Sequence, residues 1–141
     1  EPDLADAIAA GLRLEGFDVD VSNDGADGLW RAEEPDYAAV LLDSFHWHCA
    51  GESLADLTRL PAARIGAVHL ADAPDRPLDK QVAFERELPG SGVADLRGFC
   101  RALRATGYQG PATCEPFHKP FEPLAPDQVA KSVSAALDRV M

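Results

Sequence analysis

Apolar residues in this chain recur with two alternating periods, about four residues and then two, and that alternation predicts its elements. Leu4, Ile8 and Leu12 lie four apart, so the spacing predicts a first helix, capped by Asp3 and ended by Gly16. Phe17, Val19 and Val21 alternate with Asp18 and Asp20 and predict a half-buried strand. Ser22 to Gly25 is a turn cluster, followed by a short helix over Ala26 to Glu33 that Pro35 stops. Tyr37 to Leu42 is a continuous apolar run that ends in Asp43, the pattern of a buried parallel strand.

The alternation continues through the second half. Ser53 to Leu60 is expected to be a helix through Leu54, Leu57 and Leu60, and Ile65 to Leu70 a second buried strand ending around His69. Ala71 to Gly92 is a long proline- and glycine-punctuated stretch, with a helical turn expected over Gln81 to Arg86. Val93 to Thr106 predicts a helix with Leu96, Phe99, Cys100 and Leu103 inward. Pro111 to Cys114 predicts a strand ending at Glu115, and Asp127 to Val140 a closing helix. Strands alternating with helices imply an α/β fold with a parallel sheet.

The chain has 141 residues, 46% hydrophobic and 26% charged, which fits one globular domain with a true core. Its net charge of -11 argues against a nucleic-acid partner, since no basic patch is expected to neutralise phosphates. No apolar run is long enough to span a bilayer, and Glu1-Pro2-Asp3 does not resemble a signal peptide, so no membrane partner and a cytoplasmic location are expected. Cys49, Cys100 and Cys114 are an odd set without framework spacing, which implies reduced thiols; Cys100 and Cys114 fall on apolar elements as core filler.

Two resemblances add chemistry. Residues 1–43, EPDLADAIAAGLRLEGFDVDVSNDGADGLWRAEEPDYAAVLLD, resemble the receiver domain of response regulators, which implies that Asp43 is a phosphoacceptor at the end of a third strand. That family also uses an acidic pair, of which only Glu1 is present, and a first strand that these residues do not supply. From about Val40 onward, the runs VLLDSFHWHCAG, IGAVHLADAPDRP and LPGSGVADLRGFCRALRATGYQGPATCEPF resemble the last strand–helix units of the xylose-isomerase-like barrel superfamily. This second resemblance implies a divalent metal (Mn, Mg, Co or Zn) held by Asp43, His69 and Glu115. It implies Glu115 and His46 as catalytic groups and His46 and Arg76 as contacts to a small sugar-like ligand. The family's remaining glutamate lies on an earlier strand outside this chain.

Joined at Asp43, the two segments predict a flavodoxin-like, three-layer parallel sheet flanked by helices: a chimera of receiver and half-barrel. Three functions follow from this expectation. The first is a hybrid that keeps remnants of a metal site without efficient catalysis. The second is a sugar isomerase or epimerase that works only with a complementing half-barrel. The third is a receiver phosphorylated on Asp43. Substrate and homo-oligomeric state stay open. Adjacent strands are about 4.8 Å apart, so Asp43 and Glu115, two strands apart, start about 10 Å from one another. His46, His48 and Cys49 are too closely spaced for a structural zinc site. Lys119-Pro120-Phe121 matches the receiver's lysine run by coincidence, and Pro89 to Gly92 lacks the ending of a phosphate loop.

Overall fold

The computed structural model describes residues 4–22, 25–34, 37–115 and 119–141. The expected cap Asp3, the centre of the 22–25 turn, the stop at Pro35 and the acidic Glu1 lie outside these residues.

Helix α1 (Leu4–Leu14) ends just before Gly16, whose φ of 89° is a left-handed conformation open to glycine at little cost. Helix α2 covers Gly25–Glu33. Between them residues 17–22 form no strand, which corrects the expectation for Phe17 to Val21. Alternation alone does not make a strand. The backbone also needs a neighbour to complete a ladder, and Phe17, 61% exposed, is not packed against one.

Strands β1 (Val40–Asp43), β2 (Ile65–Leu70) and β3 (Ala112–Cys114) form a parallel sheet in the order β1-β2-β3. Helices α3 (Ser44–Ala50) and α4 (Leu54–Leu57) link β1 to β2, and α5 (Leu96–Ala105) links β2 to β3. Helix α6 (Pro126–Leu137) closes the chain, with its proline in the first turn where no donor is lost. Neighbours that follow chain order are the pattern of successive units in a (β/α) barrel. The flavodoxin-like three-layer sheet is therefore not what the described residues form: the front segment contributes no strand before β1.

The two faces of this sheet differ. Leu42 is in register with Val68, and Leu70 with Cys114. On this face Val68 and Leu70 are buried with Leu57, Leu60, Leu96, Phe99, Cys100, Leu103 and Val140, as the apolar spacing of α5 predicts. Each large side chain so buried stabilises the fold by about 1.5–3 kcal/mol. Side chains alternate along a strand, so Leu41, Asp43, His69 and Thr113 belong to the other face. There Leu41 is exposed.

Two local departures matter for the site. Helix α3 was not predicted; it begins directly at the end of β1, and Gly51, with φ of 70°, ends it. The turn expected over Gln81 to Arg86 is a single one, with the Glu85 N–H donating to the Val82 carbonyl at 2.9 Å, and a 3-10 turn over Leu78–Lys80 precedes it. Among the described residues, no helix is long and apolar enough to cross a membrane.

Candidate metal centre

Asp43, His69 and Glu115 come together at the C-terminal ends of the three strands. Asp43 is the register partner of His69, which pairs in turn with Thr113. Glu115 follows two residues after Thr113 and so returns to the same face, its N–H donating to the Leu70 carbonyl at 3.4 Å. One ligand atom from each residue lies within 4.8 Å of the other two. The separation of about 10 Å set by strand spacing is thus closed by side-chain length and convergence.

Each side chain has a defined setting. Asp43 Oδ1 accepts the N–H groups of Phe45 at 2.9 Å and His46 at 3.3 Å, which caps α3. His69 Nδ1 lies 3.4 Å from Glu115 Oε1, within ion-pair range. It is buried, yet the contact lacks hydrogen-bond geometry, and Nδ1 has no hydrogen-bond partner among the described residues. Such an orphan ring nitrogen is costly unless something binds it. Burial pushes the Glu115 carboxyl above its ordinary range; Arg86 pulls it back, Asp43 pushes it up again and His69 pulls it down.

Arg86 completes the cluster and was not singled out from the sequence. Its Nη1 donates to Asp43 Oδ2 and to Glu115 Oε2, each at 2.8 Å. Its Nη2 lies 3.2 Å from His46 Nε2, and its Nε donates to the Ala83 carbonyl at 2.7 Å. The guanidinium stacks 4.7 Å from the centre of the Phe45 ring and is fully buried. His46 therefore reaches the site through Arg86. Arg76 is directed elsewhere: its guanidinium pairs with Glu85 at 2.8 Å. Both arginines lie in the loop after β2, and residue type alone does not tell them apart.

That loop is held by Asp72, a buried carboxylate. Asp72 Oδ1 accepts from Ala73 and Ala94, and Oδ2 from Gly90 and Gly92, at 2.9–3.0 Å. Asp72 and Glu87 also exchange two backbone hydrogen bonds of 2.9 Å, which fixes the residue beside Arg86. A Cβ on Gly92 would lie 2.1 Å from the Ala73 carbonyl oxygen, so this close turn requires glycine. Pro89 to Gly92 is thus an anchored loop. Among the described residues, Asp43, His69 and Glu115 form a group that could hold a metal ion; His46, His48 and Cys49 do not.

Parallel strand–helix units with carboxylate and imidazole side chains at the strand ends define a segment of a (β/α) barrel. The chain belongs to the xylose isomerase-like TIM-barrel family, whose sequence pattern matches residues 13–139. It is 28% identical over 97 residues to an inosose isomerase of Halalkalibacterium halodurans, a match covering 69% of this chain and 34% of that protein. It is 32% identical over 123 residues to a 3-dehydroshikimate dehydratase of Pseudomonas aeruginosa, covering 82% and 19%. The crystal structure of an IOLI protein with a bound zinc atom superposes with a TM-score of 0.68 at 25% identity, over 72% of this chain and 37% of that one. The chain thus spans about a third of the isomerase it matches. The family pattern runs through residues 13–43, so one family spans both sides of Asp43, and a receiver origin or a chimeric junction there has no support in these comparisons.

Proposed function

We propose that Asp43, His69 and Glu115 hold a divalent metal ion and that the site acts on a small, polyhydroxylated, sugar-like compound in isomerase- or epimerase-type chemistry. The observation that carries this is the convergence of three ligand atoms within 4.8 Å around a buried, unbonded His69 Nδ1. A mixed carboxylate–imidazole set suits Zn, Mn, Co or Mg. When bound, such an ion supplies charge stabilisation to a carbonyl or hydroxyl oxygen. The chain's own groups do the rest. Glu115, a carboxylate at the strand end beside His69, suits taking and returning a proton. His46 and Arg86 present nitrogen groups beside the same carboxylates and suit orienting substrate oxygens. Arg76, the other arginine of the loop, would reach substrate only by leaving Glu85.

Three ligands and one third of a barrel support weak metal binding and inefficient turnover by this segment alone. Efficient catalysis would need the rest of a barrel, with a further ligand. Manganese titration of the unmodified chain and of Asp43→Ala tests the site: saturable binding that the substitution abolishes supports it, and no binding by the unmodified chain overturns it. Phosphorylation of Asp43 is less well supported. One of its oxygens caps α3 and the other is bound by Arg86. Incubation with a small phosphodonor, followed by intact mass, is expected to show no phosphate adduct.

A further inference from the structure

Arg86 occupies both carboxylates of the proposed centre. A buried guanidinium is costly to desolvate, and so are two carboxylates that are only 11% and 17% exposed and share one small site. The single positive charge partly offsets the two negative ones: Nη1 bridges Asp43 Oδ2 and Glu115 Oε2 at equal distances of 2.8 Å. The bridge is a built feature, since Nε, Nη2 and the guanidinium face are each engaged as well, by Ala83, His46 and Phe45.

We infer that Arg86 is an internal counter-cation, and that a divalent ion binds at Asp43, His69 and Glu115 in exchange for its guanidinium. This inference rests on the metal-site reading above. Asp43 Oδ1 is committed to capping α3, so Oδ2 is the oxygen a metal would take, and Arg86 holds it. On Glu115, Oε2 is held by Arg86 while Oε1 faces His69 Nδ1. A guanidinium and a divalent ion on the same pair of oxygens repel strongly in a poorly solvated site. Asp72 and its bridge to Glu87 pin the loop backbone next to Arg86, so the exchange is a swing of the side chain, with the loop staying in place. The consequence is a site whose metal-free form is folded with its carboxylate charge partly offset, and whose metal affinity is set by how readily Arg86 lets go.

The test is zinc chloride titration, followed by calorimetry, of the unmodified chain, Arg86→Lys and Arg86→Gln, with melting curves in chelator and in zinc. Arg86→Gln is expected to bind zinc about tenfold or more tightly, with Arg86→Lys between the two. In chelator Arg86→Gln is expected to melt below the unmodified chain, and zinc to close that gap. Should Arg86→Gln fail to fold, the unmodified chain decides by NMR: the Arg86 Nε–H signal is expected to shift and lose its protection from exchange as zinc saturates the site. A signal that does not move at zinc saturation overturns the exchange, whatever the affinities, and leaves the metal site standing. Zinc binding by neither the unmodified chain nor a folded Arg86 variant overturns both.

Discussion

Ser44 and Ala71 exchange a reciprocal pair of hydrogen bonds across the ends of two strands. Ser44 Oγ donates to the Ala71 carbonyl at 2.8 Å and accepts from the Ala71 N–H at 3.0 Å, with both residues buried. Each belongs to the residue just after a site strand, Ser44 following Asp43 and Ala71 following the end of β2. The hydroxyl therefore continues the ladder where the backbone of β1 turns into α3, and it keeps Asp43 beside His69. Removing it leaves a buried N–H and C=O without their partner. Ser44→Ala is expected to destabilise the chain by about 1–3 kcal/mol in urea denaturation. A change under about 0.5 kcal/mol would show that the pair does not hold the strand ends together.

Asp43 has two separable duties, and Asp43→Asn separates them. The amide oxygen can still accept from Phe45 and His46, so the cap of α3 survives. The negative charge next to Arg86 does not. Circular dichroism is expected to show unchanged helix content for Asp43→Asn. Manganese affinity is expected to fall at least about tenfold, because with the amide oxygen kept on the cap the atom in the place of Oδ2 is an amide nitrogen, which does not ligate a hard cation. Equal affinity in the two proteins would remove Asp43 from the ligand set.

Asp72 is a structural carboxylate by every contact it makes. Its two oxygens receive four backbone N–H groups, from Ala73, Gly90, Gly92 and Ala94. Asp72→Ala orphans all four, and a loss of about 3 kcal/mol or more is expected. Amide hydrogen exchange is expected to accelerate first over residues 86–94, the part of the loop that carries Arg86. Unchanged protection there would contradict the anchoring role.

The three cysteines are free thiols, and their environments predict different reactivity. Cys100 is 4% exposed in the core, and burial pushes its thiol above the ordinary range, with Arg104 pulling weakly the other way. A raised folded pKa means the neutral thiol is the form that suits the core. Its contribution to stability is complete below the ordinary thiol pKa and is lost only as pH rises through the folded value. Near neutral pH, iodoacetamide is expected to leave Cys100 unmodified in the folded chain and to alkylate it in denaturant. Peptide mass mapping that finds Cys100 modified under native conditions would show that this core opens readily.

Much of the barrel segment was legible in the amino-acid order because its signals are local. The run over Ile65 to Leu70 and the spacing of Leu96, Phe99, Cys100 and Leu103 each describe burial that their own element delivers, whereas the apolar run before Asp43 marks a strand that is only half-buried. The ends of those runs also located Asp43, His69 and Glu115 as strand-end residues. The front segment misled for the same local reason. A helix followed by an alternating run is shared by every parallel α/β fold, so residues 1–43 resemble a receiver without specifying one. Whether Phe17 to Val21 becomes a strand depends on a neighbouring edge, and no residue within the run encodes that neighbour.

Sequence alone determined the positions of the three sheet strands, their parallel sense and which three ligand-type side chains end them, though not that Phe17 to Val21 stays out of the sheet, since periodicity and strand-end position are properties of neighbouring residues. Tertiary structure alone decided the strand order, the start of α3 on the Asp43 carboxylate and the choice of Arg86 over Arg76 as the cation of the site. Those outcomes depend on contacts between residues up to 43 positions apart, made by a loop whose path Asp72 sets. Electrostatic pairing depends on distance in space, and chain spacing carries almost no information about that distance once a loop folds back.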